Sequence, residues 1–176
     1  MASLINSILD YSRLNNAYVE LTYAWVALSH IRSRVLADIQ FEAQESQTIT
    51  WTEFTHDLNI QTDADFLIRA IDNVLRNALK YAGESCTVVI SSHINDGNLV
   101  IDITDNGPGI PDDKLENLFN PFTRMDEARH SSQGGYGLGL VKQSLKLLGG
   151  EVSASNHLTG GLCISFSLPL PPMKAA

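Results

Sequence analysis

A chain of 176 residues, 44% hydrophobic and 18% charged, has enough apolar side chains for one globular core and is too hydrophobic for a disordered chain. Its formal net charge of −8 excludes nonspecific attraction to nucleic acid or anionic lipid, so a polyanion must be held by a local site. Cys86 and Cys163 form no C-x-x-C pattern and read as reduced thiols, and the longest apolar run near the N-terminus, Tyr23 to Leu28, is too short to cross a bilayer.

Residues 2–14 carry Leu4, Ile5, Ile8, Leu9 and Tyr11 at helical spacing, in a segment too short to be a stable helix alone. It is expected to pack on the main domain or a second chain, or to be the end of a longer helix. Thr22 to Phe41 reads as a second helix, with Trp25, Val26, Leu28, Ile31, Val35, Leu36 and Ile39 on its apolar face. Thr48 to Thr52 alternates and is β-branched, hence a strand, and a second short strand is expected around Asp57 to Ile60. The next helix starts at Asp63 and Asp65, carries the apolar stripe Ile68, Ile71, Val74, Leu75, Ala78 and Leu79, and stops at Gly83. Cys86 to Ile94 and Leu99 to Thr104 read as strands joined by the tight turn Asn95-Asp96-Gly97-Asn98. Pro111-Asp112-Asp113-Lys114 opens a short helix with Leu115, Leu118 and Phe119 inward, and residues 123–134 are polar, aperiodic and read as a mobile loop. A helix from about Leu138 to Leu148 ends at Gly149-Gly150. Strands near Glu151 to Ala154 and Leu162 to Leu168 follow, and Pro169, Pro171 and Pro172 end the fold. This order predicts an α+β class fold, a two-layer α/β sandwich in which helices cover one face of a mixed, mostly antiparallel sheet.

Three constellations carry chemistry. Asn73, Asn77 and Lys80 fall on a helix stripe away from the apolar one, giving hard oxygens and a cation that suit a Mg²⁺-bound polyphosphate; taken alone they are equally a solvated face. Asp105-Asn106-Gly107-Pro108-Gly109-Ile110 ends a strand. A carboxylate held there can only accept hydrogen bonds, so it can select a base with an amino group, such as adenine, although a capped strand-to-helix turn has the same pattern. Gly134-Gly135-Tyr136-Gly137-Leu138-Gly139-Leu140 precedes a helix, and exposed amides there suit phosphates. It lacks the βαβ context of a dinucleotide motif and the Gly-Lys-Ser/Thr of a Walker loop.

The Asn73 to Tyr81 helix, Asp105-x-Gly107-x-Gly109, the Phe119/Phe122 segment and Gly135-x-Gly137-Leu138-Gly139-Leu140 resemble, in order and spacing, the N, G1, F and G2 boxes of sensor histidine kinases. Over about Thr22 to Leu170 the chain resembles their catalytic ATP-binding domain, of the Bergerat-type superfamily shared with gyrase, the heat-shock chaperone and mismatch-repair ATPases. The resemblance implies ATP and Mg²⁺ as cofactors. It implies Asn77 on the metal with Asn73 beside it, Lys80 near the phosphates, and Tyr81 against the nucleoside. Asp105 is then the partner of the adenine amino group, and Gly107, Gly109, Ile110, Phe122, Gly135, Gly137, Leu138, Gly139 and Leu140 line the nucleotide. The lid is roughly Thr123 to Gly134, with Arg124 or Arg129 as the candidate γ-phosphate contact.

In the hydrolysing relatives the position of Asn73 resembles a glutamate that activates water. An amide cannot take a proton at neutral pH, which favours transfer to a protein acceptor. Ser29-His30-Ile31-Arg32 lacks the acidic neighbour and proline of the acceptor box, and His56, His93, His130 and His157 lack metal-ligand spacing. Residues 1–16 resemble the tail of a dimerisation helix, which makes 17–172 the catalytic domain, 173–176 a C-terminal tail, and the acceptor histidine a residue outside this chain. The implied partners are the parent protein's own dimerisation domain, in a homodimer, and a response regulator, with no nucleic acid. The implied location is cytoplasmic, in a parent protein of the bacterial inner membrane. Tyr136 where the family has a small residue, and a helix after Leu140 about two residues short, keep a noncatalytic nucleotide-binding interaction module in view. A serine or anti-sigma-factor kinase of the same superfamily is a second alternative, against which residues 1–14 argue because it would need no dimerisation helix.

Overall fold

The computed structural model describes residues 20–52, 57–120, 137–158 and 160–171. The strands are β1 (Ala24–Ala27), β2 (Thr48–Trp51), β3 (Asn59–Thr62), β4 (Thr87–Asn95), β5 (Asn98–Asp105), β6 (Glu151–Asn156) and β7 (Leu162–Pro169). The helices are α1 (Leu28–Gln40), α2 (Ala64–Tyr81), α3 (Asp112–Leu115) and α4 (Gly137–Leu147). β2-β4-β5-β7-β6 form one sheet in that order, parallel only between β2 and β4, while β1 and β3 pair separately as an antiparallel ribbon.

Alternation along the strands decides which face of the sheet is covered. Val88 and Ile90 of β4, Leu99, Ile101 and Ile103 of β5, and Ile164, Phe166 and Leu168 of β7 are all buried. The register sets them in rows: Ile90 opposite Ile103, Ile103 opposite Ile164, and Ile101 opposite Phe166. Against them lie Leu67, Ile68, Ile71, Val74, Leu75 and Ala78 of α2, Ile31, Val35 and Ile39 of α1, and Val141 and Leu145 of α4, all in one core. Ser91, His93, Asp102 and Ser165 take the opposite face, where Ser165 donates to the Asp102 carboxylate and His93 Nδ1 lies 3.6 Å from it. A sheet covered by helices on one side and polar on the other is the two-layer sandwich expected.

One expected element is corrected. Residues 24–27 do not extend the following helix: they pair with β3, from Ala24 opposite Thr62 to Ala27 opposite Asn59. The apolar run Ala-Trp-Val-Ala serves either a helix or a strand by pattern alone. Its flanks settle the matter, because Thr22 N is held by Asp63 Oδ2 at 2.8 Å and Leu28 N donates to Leu58 O at 2.8 Å, tying both ends to the β3 segment. Trp25, expected inward, is 63% exposed as a result. The expected strand at 57–60 lies two residues later, at Asn59–Thr62.

The β4–β5 hairpin turns at Asp96 (φ 48°) and Gly97 (φ 77°), the two positive values of a two-residue turn. α3 spans only Asp112–Leu115; Phe119 beyond it is buried, and Leu115 and Leu118 are half-buried. Residues 1–16, the lid at 123–134 and the tail at 173–176 lie outside the described residues.

Asp63 caps α2. Its Oδ1 accepts from Asp65 N at 3.1 Å and Phe66 N at 3.3 Å while Oδ2 holds Thr22, so one buried carboxylate satisfies three amides. Asp63→Ala is expected to lower the unfolding free energy in urea by about 1–2 kcal/mol; an unchanged midpoint would contradict the capping role.

Candidate functional site

α2 carries the first set of candidate residues. With Ile71, Val74, Leu75 and Ala78 turned into the core, Asn73 and Asn77 come to lie half-buried at its border, and Lys80 and Tyr81 are exposed at the C-terminal end. Asn73 Nδ2 donates back to Arg69 O at 2.8 Å. The donor end of that amide is thereby used, and Oδ1 faces Gly137, the first residue of α4. A Cβ on Gly137 would meet Asn73 Oδ1 at 3.5 Å and Asn77 Nδ2 at 3.8 Å. Two motifs more than sixty residues apart in sequence therefore share one surface, open because position 137 has no side chain.

The loop Asp105–Ile110 meets the other end of the same helix. A Cβ on Gly107 would lie 2.8 Å from Ala82 Cα, the helix C-cap, so the loop crosses the helix end at a separation that only glycine permits. Nine residues of helix, roughly 13 Å, separate Asn73 from Ala82, a span that a nucleoside with its phosphates can bridge. Lys80 Nζ sits 5.0 Å from the Tyr81 ring centroid, a cation–π contact at this end.

Asp105 is fixed through one oxygen. Its Oδ1 accepts from Gly107 N at 2.8 Å and Leu162 N at 3.2 Å; among the described residues nothing donates to Oδ2. That oxygen can accept a hydrogen bond from a ligand's amino group and would repel a carbonyl. Asn106 points away, locked by Thr87 N at the start of β4 (2.7 Å to Oδ1) and by Ser85 O just before it (3.4 Å from Nδ2). Cys86 is fully buried below, its Sγ 3.5 Å from Ala78 O, and burial first and then the Asp105 charge push its thiol pKa up. It is an inert core thiol.

The helix between the two loops is held from outside. Gln47 Nε2 donates to Leu79 O at 2.9 Å and Gly83 O at 3.3 Å, and Arg76 makes three hydrogen bonds of 2.8–3.0 Å to the Glu42 carboxylate. Neither contact has a local signal in the sequence. The same is true of Asn156, at the end of β6, whose carboxamide bonds to both backbone groups of Ile110.

Leu138 is half-buried, and Gly139 and Leu140 are buried at the start of α4. The short length of α4 does not disturb its packing: Leu140, Val141, Ser144, Leu145 and Leu148 form one continuous buried stripe. Phe122, Arg124, Arg129, Gly135 and Tyr136 lie outside the described residues.

A family model for "Histidine kinase-, DNA gyrase B-, and HSP90-like ATPase" matches residues 62–172. The sensor histidine kinase WalK of Bacillus subtilis is 31% identical over 96% of this chain, which spans 28% of WalK. The sensor protein RstB of Escherichia coli is 34% identical over 97% of this chain, which spans 39% of it. Among solved structures, full-length ShkA in complex with AMPPNP superposes with a TM-score of 0.82 at 27% identity, over 98% of this chain and 36% of ShkA. The match from β3 to the C-terminal prolines covers both glycine loops and α2. The chain belongs to the histidine kinase, gyrase B and HSP90-like ATPase family, and its relatives there include the sensor histidine kinase WalK and the sensor protein RstB. It spans well under half the length of these relatives.

Asp72, next to Asn73, faces α1 and is only 7% exposed, with an Oδ1 that has no partner among the described residues. Burial raises its pKa from 3.8 to about 6, against the lowering effect of Arg76, and Asp38 and Glu42 add to the rise. A raised folded-state pKa means the native protein binds this proton more tightly than the unfolded chain does. The stability it gives is complete below about pH 4, falls through pH 6 and levels off above, by at most about 3 kcal/mol. Asp72→Asn should therefore be more stable than the parent by about 1–2 kcal/mol at pH 7.5, with the difference shrinking toward pH 4.5 in thermal melts; a constant difference across that range would contradict it.

Proposed function

We propose that the chain is the catalytic ATP-binding domain of a sensor histidine kinase. It binds Mg²⁺-ATP and donates the γ-phosphoryl group to a histidine on a dimerisation domain of its parent protein. The observation that carries this reading is the placement of α2, with Asn73 and Asn77 facing Gly137 at one end and Ala82 against Gly107 at the other, beside the open oxygen of Asp105. The sensor histidine kinase WalK and the sensor protein RstB, both similar to this chain, and the AMPPNP bound by the similar ShkA support it.

The donor set fits Mg²⁺. No group of three His, Cys, Asp or Glu that could cage a metal occurs among the described residues, whereas carboxamide oxygens at Asn73 and Asn77 can serve an ion that takes its other ligands from phosphates and water. When bound, the ion neutralises phosphate charge. Asn77 would hold it, with Asn73 Oδ1 aimed at the same space. Asp105 would accept from the adenine amino group, Tyr81 and Ile110 would flank the nucleoside, and Lys80, the amides at Gly137 to Leu140 and an arginine of the lid would meet the phosphates.

In the transfer step an imidazole nitrogen forms a bond to the γ-phosphorus as the bond from that phosphorus to the β,γ-bridging oxygen breaks, and the electron pair leaves with ADP. This domain contributes position and charge to that step. Asn73, its amide nitrogen spent on Arg69 O, supplies no base for water, which is why transfer is favoured over hydrolysis. The partners that follow are a second copy of the parent chain and a response regulator, in the cytoplasm where ATP is available. No described helix is long and apolar enough to cross a membrane.

Asp105→Asn should weaken ADP binding by about 1.5–3 kcal/mol by replacing a charge-assisted acceptor with an amide; an unchanged Kd in a calorimetric titration would remove Asp105 from base recognition. Asn77→Ala should abolish most of the tightening that Mg²⁺ gives to an ATP analogue and leave metal-free affinity within about twofold. An equal loss with and without metal would exclude the metal role.

A further inference from the structure

The hairpin formed by β6 and β7 holds the Asp105–Ile110 loop at both ends, and one side chain does half of this. Asn156 Oδ1 accepts from Ile110 N at 2.9 Å and Asn156 Nδ2 donates to Ile110 O at 2.7 Å and to Asp112 Oδ1 at 3.0 Å. A carboxamide that meets both backbone groups of one residue acts as a strand partner where no strand exists. It takes up the peptide groups that leave the loop and ties them to the start of α3. Gly109, at φ +72°, lets it approach: a Cβ there would lie 2.7 Å from Asn156 Oδ1.

At the other end of the loop the backbone of the same hairpin does the holding. Leu162 N donates to Asp105 Oδ1, and Gly161 (φ +99°) is pressed so close that a Cβ would fall 1.8 Å from Asp105 O. The carboxylate is thus aimed by a hairpin whose second grip, Asn156, is five residues along from Gly161. At the Asp105 end the backbone is held by Asn106 on Thr87 and Ser85, but the carboxylate is set by two amides, Leu162 N of the hairpin and Gly107 N of the loop itself. If the Ile110 end is released, Gly107 loses its far support and Oδ2 its fixed direction.

We infer that Asn156 is a positioning residue for base recognition: it touches no part of the nucleotide and sets the aim of Asp105 by clamping the far end of the loop. The inference rests on the nucleotide reading above. It makes selectivity for an amino-bearing base depend on a residue some fifty positions away in sequence from the one that reads it.

The test is a double-mutant cycle read by ADP titration, with inosine diphosphate, which carries a carbonyl in place of the amino group, as the second ligand. Asn156→Ala should weaken ADP binding about tenfold in the parent background and less than about twofold in the Asp105→Asn background, because the clamp has nothing left to aim. Inosine diphosphate affinity should move by less than about twofold in either background. Thermal midpoints, by contrast, should shift equally in the two backgrounds. Asn156→Asp keeps an acceptor for Ile110 N but sets a charge against Asp112 and Ile110 O; it should fall between parent and alanine, and takes the place of the alanine variant in the cycle if the latter does not fold. Equal ADP losses in both backgrounds, equal losses for the two ligands, or no loss would overturn the positioning role. A parent chain that fails to bind ADP, or binds it equally well as Asp105→Asn, would overturn the underlying nucleotide reading instead.

Discussion

Asp63 gives one carboxylate oxygen to the first free amides of α2 and the other to Thr22, and these three hydrogen bonds fix where the helix begins. The apolar stripe from Leu67 to Ala78 then fixes its rotation, because turning the helix would expose side chains that each contribute about 1.5–3 kcal/mol of burial. Gln47 and the Arg76–Glu42 pair fix the C-terminal half. With start and rotation set, Asn73 and Asn77 have no freedom to face anything but Gly137, and Ala82 must meet Gly107. The site is a consequence of how one helix is held.

That arrangement answers a problem posed by composition. A chain with a net charge of −8 gives a polyanion no general attraction, so phosphate must be met by short-range groups. On the proposed reading, neutral carboxamides, backbone amides at the start of a helix and a few cations would supply these without a large positive field. The same negative surroundings act on Asp72: burial is the main reason it holds its proton, and the nearby Asp38 and Glu42 carboxylates add to the effect.

The sequence made most of this legible because the signals are local. The alternation of β4 and β5, the Asp96-Gly97 turn and the stripe of α2 each lie within a short window, and they yielded the sheet, the hairpin and the central helix at nearly the observed bounds. β1 was misread because Ala24–Ala27 has a pattern that fits helix or strand, and only its ties to residues 58–63 distinguish the two. Asn156, Gln47 and Leu162 escaped notice for a related reason. Each acts through a contact that spans 32 to 57 residues, and a lone Asn or Gln at a strand end looks like any polar surface residue until the fold closes. Spacing pointed to the residues proposed to face a ligand; it had no means of finding those that hold them.

The most direct test of the account is a calorimetric titration of this chain with a nonhydrolysable ATP analogue, with and without Mg²⁺, alongside the corresponding GTP analogue. The account predicts binding that Mg²⁺ strengthens and that the guanine analogue, with a carbonyl set against Asp105 Oδ2, does not match. Absence of binding by the folded chain, or equal affinity for the two bases, would contradict it.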